Sequence, residues 1–125
     1  MQSGTSNVNA DRTCVVLREA ETPTETVQEG LERKTIRTAN LMTVVIDFSG
    51  GPWAEPDPYH SHPHEQVSYL AAGEIIFLAE GEEPRRLSAG DLFAVPPGRP
   101  HSIRLLSETC RLVDSFHPIR EDFLA

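Results

Sequence analysis

Cysteine is scarce: the 125 residues hold only Cys14 and Cys110, far apart and in no metal-type spacing. A chain of this length buries enough core to fold without a disulfide, so two reduced thiols packed in strands are expected. Long hydrophobic runs are missing too. None approaches membrane-spanning length, and the N-terminal MQSGTSNVNADR lacks the apolar core of a signal peptide. A soluble cytoplasmic protein is expected. Basic residues are few: 11 Lys and Arg stand against 19 Asp and Glu, a formal net charge of −8. That balance argues against nucleic acid or an anionic membrane as the main partner. An anionic small molecule would need local positive charge from a metal or a placed Arg. Helical periodicity is not sustained over three turns anywhere, and there are no internal repeats.

What is present reads as short strands. Residues 1–11 are small and polar and read as a disordered tail, leaving 12–125 as one domain. RTCVVLRE (12–19) has the β-branched content of a strand, and the acidic EAETPTETVQEG (19–30) reads as a connection. KTIRTA and LMTVVIDF (41–48) look like strands. GGPWAEPDPY (50–59), with three prolines and two glycines, reads as a loop. Strand-like segments follow with Gly and Pro between them: HSHPHEQVSYLAAG (60–73), EIIFLAEG (74–81), RRLSAGD, LFAVPPG, HSIRLLSE and CRLVDSFHP. Tyr69 and Phe77 read as core. The pattern predicts an all-β sandwich or barrel.

The chemistry concentrates in a few positions. On a strand, His60 and His62 would share a face, and Gln66 has the same parity. His101 follows the turn PPGRPH (96–101) and can return a further ligand from a neighbouring strand. Imidazole suits late first-row divalent metals, and a Gln oxygen is a harder, neutral ligand. Alternatively, HSH is only a solvent-exposed loop. His64 reads as a rim residue and His117 as a strand-end surface residue. Trp53 and Tyr59 either flank a binding mouth or pin their loop. Asp114 and Phe116 share parity on one strand, with Arg120 just past Pro118. On residue type alone, Asp114 is equally a buried turn acceptor, Phe116 a core residue, and Arg120 part of a surface ion-pair cluster with Glu121 and Asp122.

The spacing resembles the two cupin motifs, G-x5-H-x-H-x(3,4)-E-x6-G and G-x5-P-x-G-x2-H-x3-N. Here they run His60-x-His62-x3-Gln66-x6-Gly73 and Gly90-x5-Pro96-x-Gly98-x2-His101. The stretch from Gly51 to His60 is longer than the pattern, Gln66 stands for Glu, and Leu105 stands for Asn. The resemblance implies a single-domain cupin β-barrel (double-stranded β-helix or jelly roll) of six to eight antiparallel strands. It also implies one divalent transition metal (Ni, Zn, Fe, Mn or Co) on His60, His62, Gln66 and His101.

HSHPHEQVSYL (60–70), the GD…PPG..H segment (90–101) and DSFHPIREDFL (114–124) are similar, more narrowly, to the KdgF-type cupins of pectin and alginate breakdown. That resemblance implies metal-dependent ring opening of 4,5-unsaturated monouronates to linear keto-uronates. Its catalytic pattern D-x-F-x3-R falls on Asp114, Phe116 and Arg120. It also implies a small anionic sugar as substrate and a homodimer, paired through sheet faces or exchanged N-terminal strands, since RTCVVLRE would otherwise leave an edge. Other readings are an Fe(II) dioxygenase or a non-catalytic sugar-binding cupin.

Overall fold

The computed structural model describes residues 12–124; the expected N-terminal tail lies outside them. Nine strands form: β1 (Glu25–Gln28), β2 (Leu31–Arg37), β3 (Met42–Phe48), β4 (Glu65–Ala72), β5 (Glu74–Ala79), β6 (Arg85–Ser88), β7 (Leu92–Val95), β8 (His101–Leu105) and β9 (Cys110–His117). All pairings are antiparallel, in a six-stranded sheet ordered β1-β2-β3-β9-β4-β7 and a three-stranded sheet ordered β6-β5-β8. The two ladders do not join into one closed hydrogen-bonded barrel among the described residues. The nine strands exceed the six to eight expected. This is a jelly-roll arrangement of two sheets about one core.

Alternation puts one row of each strand inside. On β9 the inward residues are Cys110, Leu112, Asp114 and Phe116; on β4 they are Gln66, Ser68 and Leu70. Each row changes character along its length. At one end Phe48, Leu70, Ile75, Leu105 and Leu112 form an apolar cluster. Toward the other end the same strands carry Gln66, Ser68, His101 and Asp114, all buried. The apolar end supplies the burial that stabilises the fold, at roughly 25 cal/mol per Å². The polar end gathers groups that cost energy to bury unless they are partnered.

Tight turns keep the two ends in register. Gly73 has φ +91°, and a Cβ there would sit 2.6 Å from the Thr109 carbonyl oxygen, so β4 passes into β5 only through glycine. Gly51 packs against the Ser107 carbonyl, which leaves no room for a side chain. The loop from 50 to 59 then runs along β8, with the Trp53 and Asp57 amides donating to the Leu105 and Ile103 carbonyls.

Several expectations are corrected. Residues 12–18 form no strand, and Glu19–Glu21 is a short 3-10 turn. Val15 and Val16 are 65% and 74% exposed; β-branched residues favour strands only where a half-buried pleated surface receives them. Within the expected connection 19–30, Glu25–Gln28 forms edge strand β1 on β2. His60 and His62 precede β4, so they do not sit on a regular strand; His60 makes an isolated bridge to His101 instead. Tyr69 is not core: its neighbours Ser68 and Leu70 point inward, so it points out and is 42% exposed, while Phe77 is buried as expected. Both thiols are free, but only Cys110 is packed in a strand; Cys14 is exposed outside one. No helix among the described residues is long and apolar enough to cross a membrane.

Candidate metal centre

His60 and His101 are tied backbone to backbone, each amide donating to the other's carbonyl at 3.1 and 3.0 Å. That bridge extends the three-stranded sheet and sets their rings 4.3 Å apart, centroid to centroid. The His62 carbonyl accepts from the Gly98 amide, which draws His62 toward the same point. One ligand atom from each of His60, His62 and His101 lies within 4.8 Å of the others. Gln66, at the start of β4, brings Oε1 to 3.0 Å from His62 Nε2. The four residues named from spacing therefore converge, although the histidines do so from an irregular segment.

The donors suit a cation. His62 Nδ1 donates to the His64 carbonyl (3.0 Å) and His101 Nδ1 to the Arg99 carbonyl (2.8 Å). In the tautomer that makes these bonds, the lone pair of each ring lies on Nε2. His60 likewise takes the Pro58 backbone as a partner. Such outer contacts fix tautomer and aim, as at metal-bound histidines. His101 Nε2 is buried with no hydrogen-bond partner. The Gln66 amide donates to Ser68 Oγ at 2.9 Å, which turns its oxygen toward His62. In that tautomer the His62 Nε2 and Gln66 Oε1 lone pairs face each other across 3.0 Å. A cation would neutralise both, whereas an empty buried site would leave the desolvation cost uncompensated. Burial pushes His101 down to about 4 and lowers His60, where the neighbouring His62 and Arg120 add to the effect. Both are neutral, ligand-ready imidazoles at neutral pH. His64 is a half-buried neighbour of His62 outside the convergent set, and His117 is exposed at the end of β9.

Beside these donors lies a cavity of about 150 Å³, lined among others by His60, Gln66, His101, Asp114, Phe116 and Arg120. Asp114 arrives from β9, opposite Ser68 of β4. Burial raises its carboxyl to about 6, against a hydrogen bond from Ser68 and the charge of Arg120, which lower it. Its Oδ1 has no hydrogen-bond partner. Ser68 accepts from Gln66 and donates to Asp114, so one buried hydroxyl orients both. A Glu at position 66 would replace that donor with a second acceptor. Phe116 packs edge-on to the His62 ring at 5.7 Å. Arg120 lies 5.2 Å above the Phe116 ring and pairs with Asp122 at 2.7 Å. The ion pair expected of a plain surface cluster exists, but the Arg120 side chain is only 16% exposed and lines the cavity. Of the loop aromatics, Trp53 packs edge-on against Phe48 at 5.8 Å and pins the loop, and Tyr59 is exposed. Sequence reasoning did not single out Ser68, Arg33 or Phe123; the inward parity of Ser68 with Gln66 was the available signal for the first.

The family model described as Cupin domain matches residues 50–116, more than half of the chain. This chain is a cupin. Within the cupins it is 38% identical over 106 residues to the pectin degradation protein KdgF of Dickeya dadantii, covering 83% of this chain and 93% of that protein. The structure of KdgF from Halomonas sp. superposes with a TM-score of 0.79 at 32% identity, covering 89% of this cupin and 99% of that chain. It therefore belongs with the KdgF-type cupins. A shorter likeness, 49% over 47 residues, links it to the dimethylsulfoniopropionate lyase DddQ of Ruegeria pomeroyi. That match spans 38% of this cupin and 23% of DddQ.

Proposed function

We propose that this cupin takes part in the breakdown of pectin or alginate by opening the ring of 4,5-unsaturated monouronates to linear keto-uronates. One divalent transition metal (Ni, Zn, Fe, Mn or Co) would be held by His60, His62, Gln66 and His101. The observation that carries this reading is a single cavity combining neutral N and O donors, the unpartnered buried oxygen of Asp114 and the guanidinium of Arg120. The likeness to KdgF proteins, one of them a pectin degradation protein, supports a uronate as substrate.

In such a substrate the ring oxygen joins the hemiacetal carbon C1 to C5 of the C4=C5 double bond. Opening breaks the C1–O bond as the hemiacetal hydroxyl loses its proton and C1 becomes a carbonyl. The freed oxygen is then an enolate at C5, and adding a proton at C4 yields the ketone. Atoms balance, with one proton moved from oxygen to carbon. When bound, a divalent ion with four neutral ligands retains its full double charge and acts as a Lewis acid. Asp114 is the group that holds and moves the proton, because a carboxyl near 6 exists in both forms at neutral pH. Arg120 receives the substrate carboxylate, the local cation that an acidic protein needs. Phe116 packs the sugar face and excludes water.

Metal-loaded protein should consume 4,5-unsaturated galacturonate faster than the spontaneous ring opening, measured in parallel without enzyme. Chelated protein and His101→Ala should lose both that acceleration and stoichiometric metal by elemental analysis. A metal-loaded wild type that works only at the spontaneous rate overturns the proposal. Dimethylsulfoniopropionate is the control substrate indicated by the shorter likeness to DddQ. Oxygen uptake with iron would instead mark a dioxygenase, and thermal shifts with sugars but no turnover a binding protein.

The working form we propose is a homodimer acting in the cytoplasm. The outer face of the six-stranded sheet carries exposed Val67, Tyr69 and Leu92, with Tyr69 opposite Leu92, and Val15 and Val16 are exposed beyond the sheets. A second copy covering these residues would remove apolar surface from water. Light scattering at low micromolar concentration should give twice 13.9 kDa, and the mass of one chain would rule the dimer out.

A further inference from the structure

Arg33 sits on the inner row of β2, opposite Ile46, with a side chain only 13% exposed. An inward cation so near a core requires partners. It has three, all beyond its own strand: Nε meets the Glu25 carboxylate at 2.6 Å, Nη2 donates to the Phe123 carbonyl at 3.3 Å, and the guanidinium lies 4.3 Å above the Phe123 ring. Phe123 in turn packs edge-on to Phe116 at 5.6 Å and has the Arg120 guanidinium 4.2 Å from its centroid. Asp122 closes the arrangement, accepting from Nε (3.3 Å) and Nη2 (2.7 Å) of Arg120.

The sides of Arg120 are therefore distinct. Arg120 and Phe123 line the metal cavity, and Asp122 does not. Asp122 grips one edge of the guanidinium from outside, while no hydrogen bond to Nη1 is made among the described residues. We propose that Asp122 and Arg33 are positioning residues: Asp122 holds the outer edge of Arg120, and Arg33 anchors Phe123 at the end of the short 3-10 turn Glu121–Phe123, against whose ring Arg120 rests. The guanidinium is thereby aimed at the cavity before an anion arrives. The physical advantage is preorganisation. A long side chain on a short C-terminal turn loses rotamer freedom when it binds, and a clamp removes that loss from the binding step. A carboxylate competing for the same place would have to lie inside the cavity, and Asp122 does not.

The inference rests on the reading of Arg120 as the carboxylate-binding group, and its test has a readout independent of turnover. Titration calorimetry of the metal-loaded protein with galacturonate, a saturated uronate, should show Asp122→Asn and Arg33→Gln each weakening binding about tenfold, about 1.4 kcal/mol. Neutral galactose should bind these variants as it binds wild type. With unsaturated galacturonate, KM should rise by a similar factor while kcat stays within about twofold. Asp122→Glu should restore part of the affinity. If Arg33→Gln does not fold, Asp122→Asn carries the test, since the Asp122 side chain is 58% exposed. Unchanged uronate affinity with only a lower Tm would make the clamp merely structural and overturn the proposal. Tighter binding by Asp122→Asn would also overturn it, by making Asp122 a competitor. Weakened uronate binding in the variants of a wild type that shows no turnover would support the clamp and remove the ring-opening reading.

Discussion

Asp114→Asn is expected to lower kcat by about 10²–10⁴-fold with a small change in KM, and at the same time to stabilise the metal-free protein. Both effects come from the same burial. The Asp114 carboxyl is raised from 3.8 to about 6 chiefly because it is taken out of water. Below its unfolded value both folded and unfolded chains carry the proton, and nothing is lost. As pH rises through the window from about 4 to about 6, the unfolded chain ionises first, so folded stability falls. Above that window the ionised, buried group costs on the order of 3 kcal/mol. Asn keeps the shape and the Ser68 contact and cannot ionise. Denaturant melts of chelated wild type and variant at pH 4 and pH 8 should therefore diverge only at the higher pH, with the variant more stable. Catalysis should move the opposite way, because the proton-carrying group is gone. A variant that opens the ring at the wild-type rate would exclude Asp114 as the proton carrier. A variant less stable at pH 8 would show that the Asp114 charge is compensated by a partner.

Arg120→Ala should weaken binding of a uronate by about 2–5 kcal/mol, the usual cost of removing one member of a buried, hydrogen-bonded charge pair. The guanidinium is the cation that lines the cavity without being a metal ligand, and it is largely shielded from water. The loss should fall on KM and on galacturonate affinity, because the carboxylate contact exists before and during reaction. Arg120→Lys should recover only part. An ammonium keeps the charge but has no fork for a carboxylate, and it stacks less well between Phe116 and Phe123. Salt should matter little in wild type, since a buried pair is poorly screened. A KM unchanged in Arg120→Ala would leave the metal as the sole anchor of the substrate.

Much of the site was legible because it depends on spacing and parity. His60, His62, Gln66 and His101 could be named from two short motifs, and they converge. Asp114 and Phe116 share parity on β9, and a two-residue period leaves no other face for them. The mistaken elements share one cause. RTCVVLRE has strand composition but no strand among the described residues receives it, and Tyr69 is aromatic but out of phase with Gln66, Ser68 and Leu70. In both cases composition was weighed above position.

The sequence by itself determined the all-β class, the cupin motif, the candidate set His60, His62, Gln66 and His101, and the inward face of β9. The class and the face follow from periods along one chain, and the candidate set from the intervals that resemble the cupin motifs; none of these needs knowledge of packing. Only the tertiary structure decided what the rest of the chain contributes to that site. It showed His60 bridging to His101, rather than riding a strand with His62. It turned Gln66 toward His62 through Ser68 and gave Arg120 a cavity face and an outer face. It also brought Arg33 to Phe123, 90 residues apart in sequence. Such contacts depend on which strands become neighbours and on which lone pairs and charges must be satisfied once buried. Neither is written in local spacing, because both are properties of the closed core.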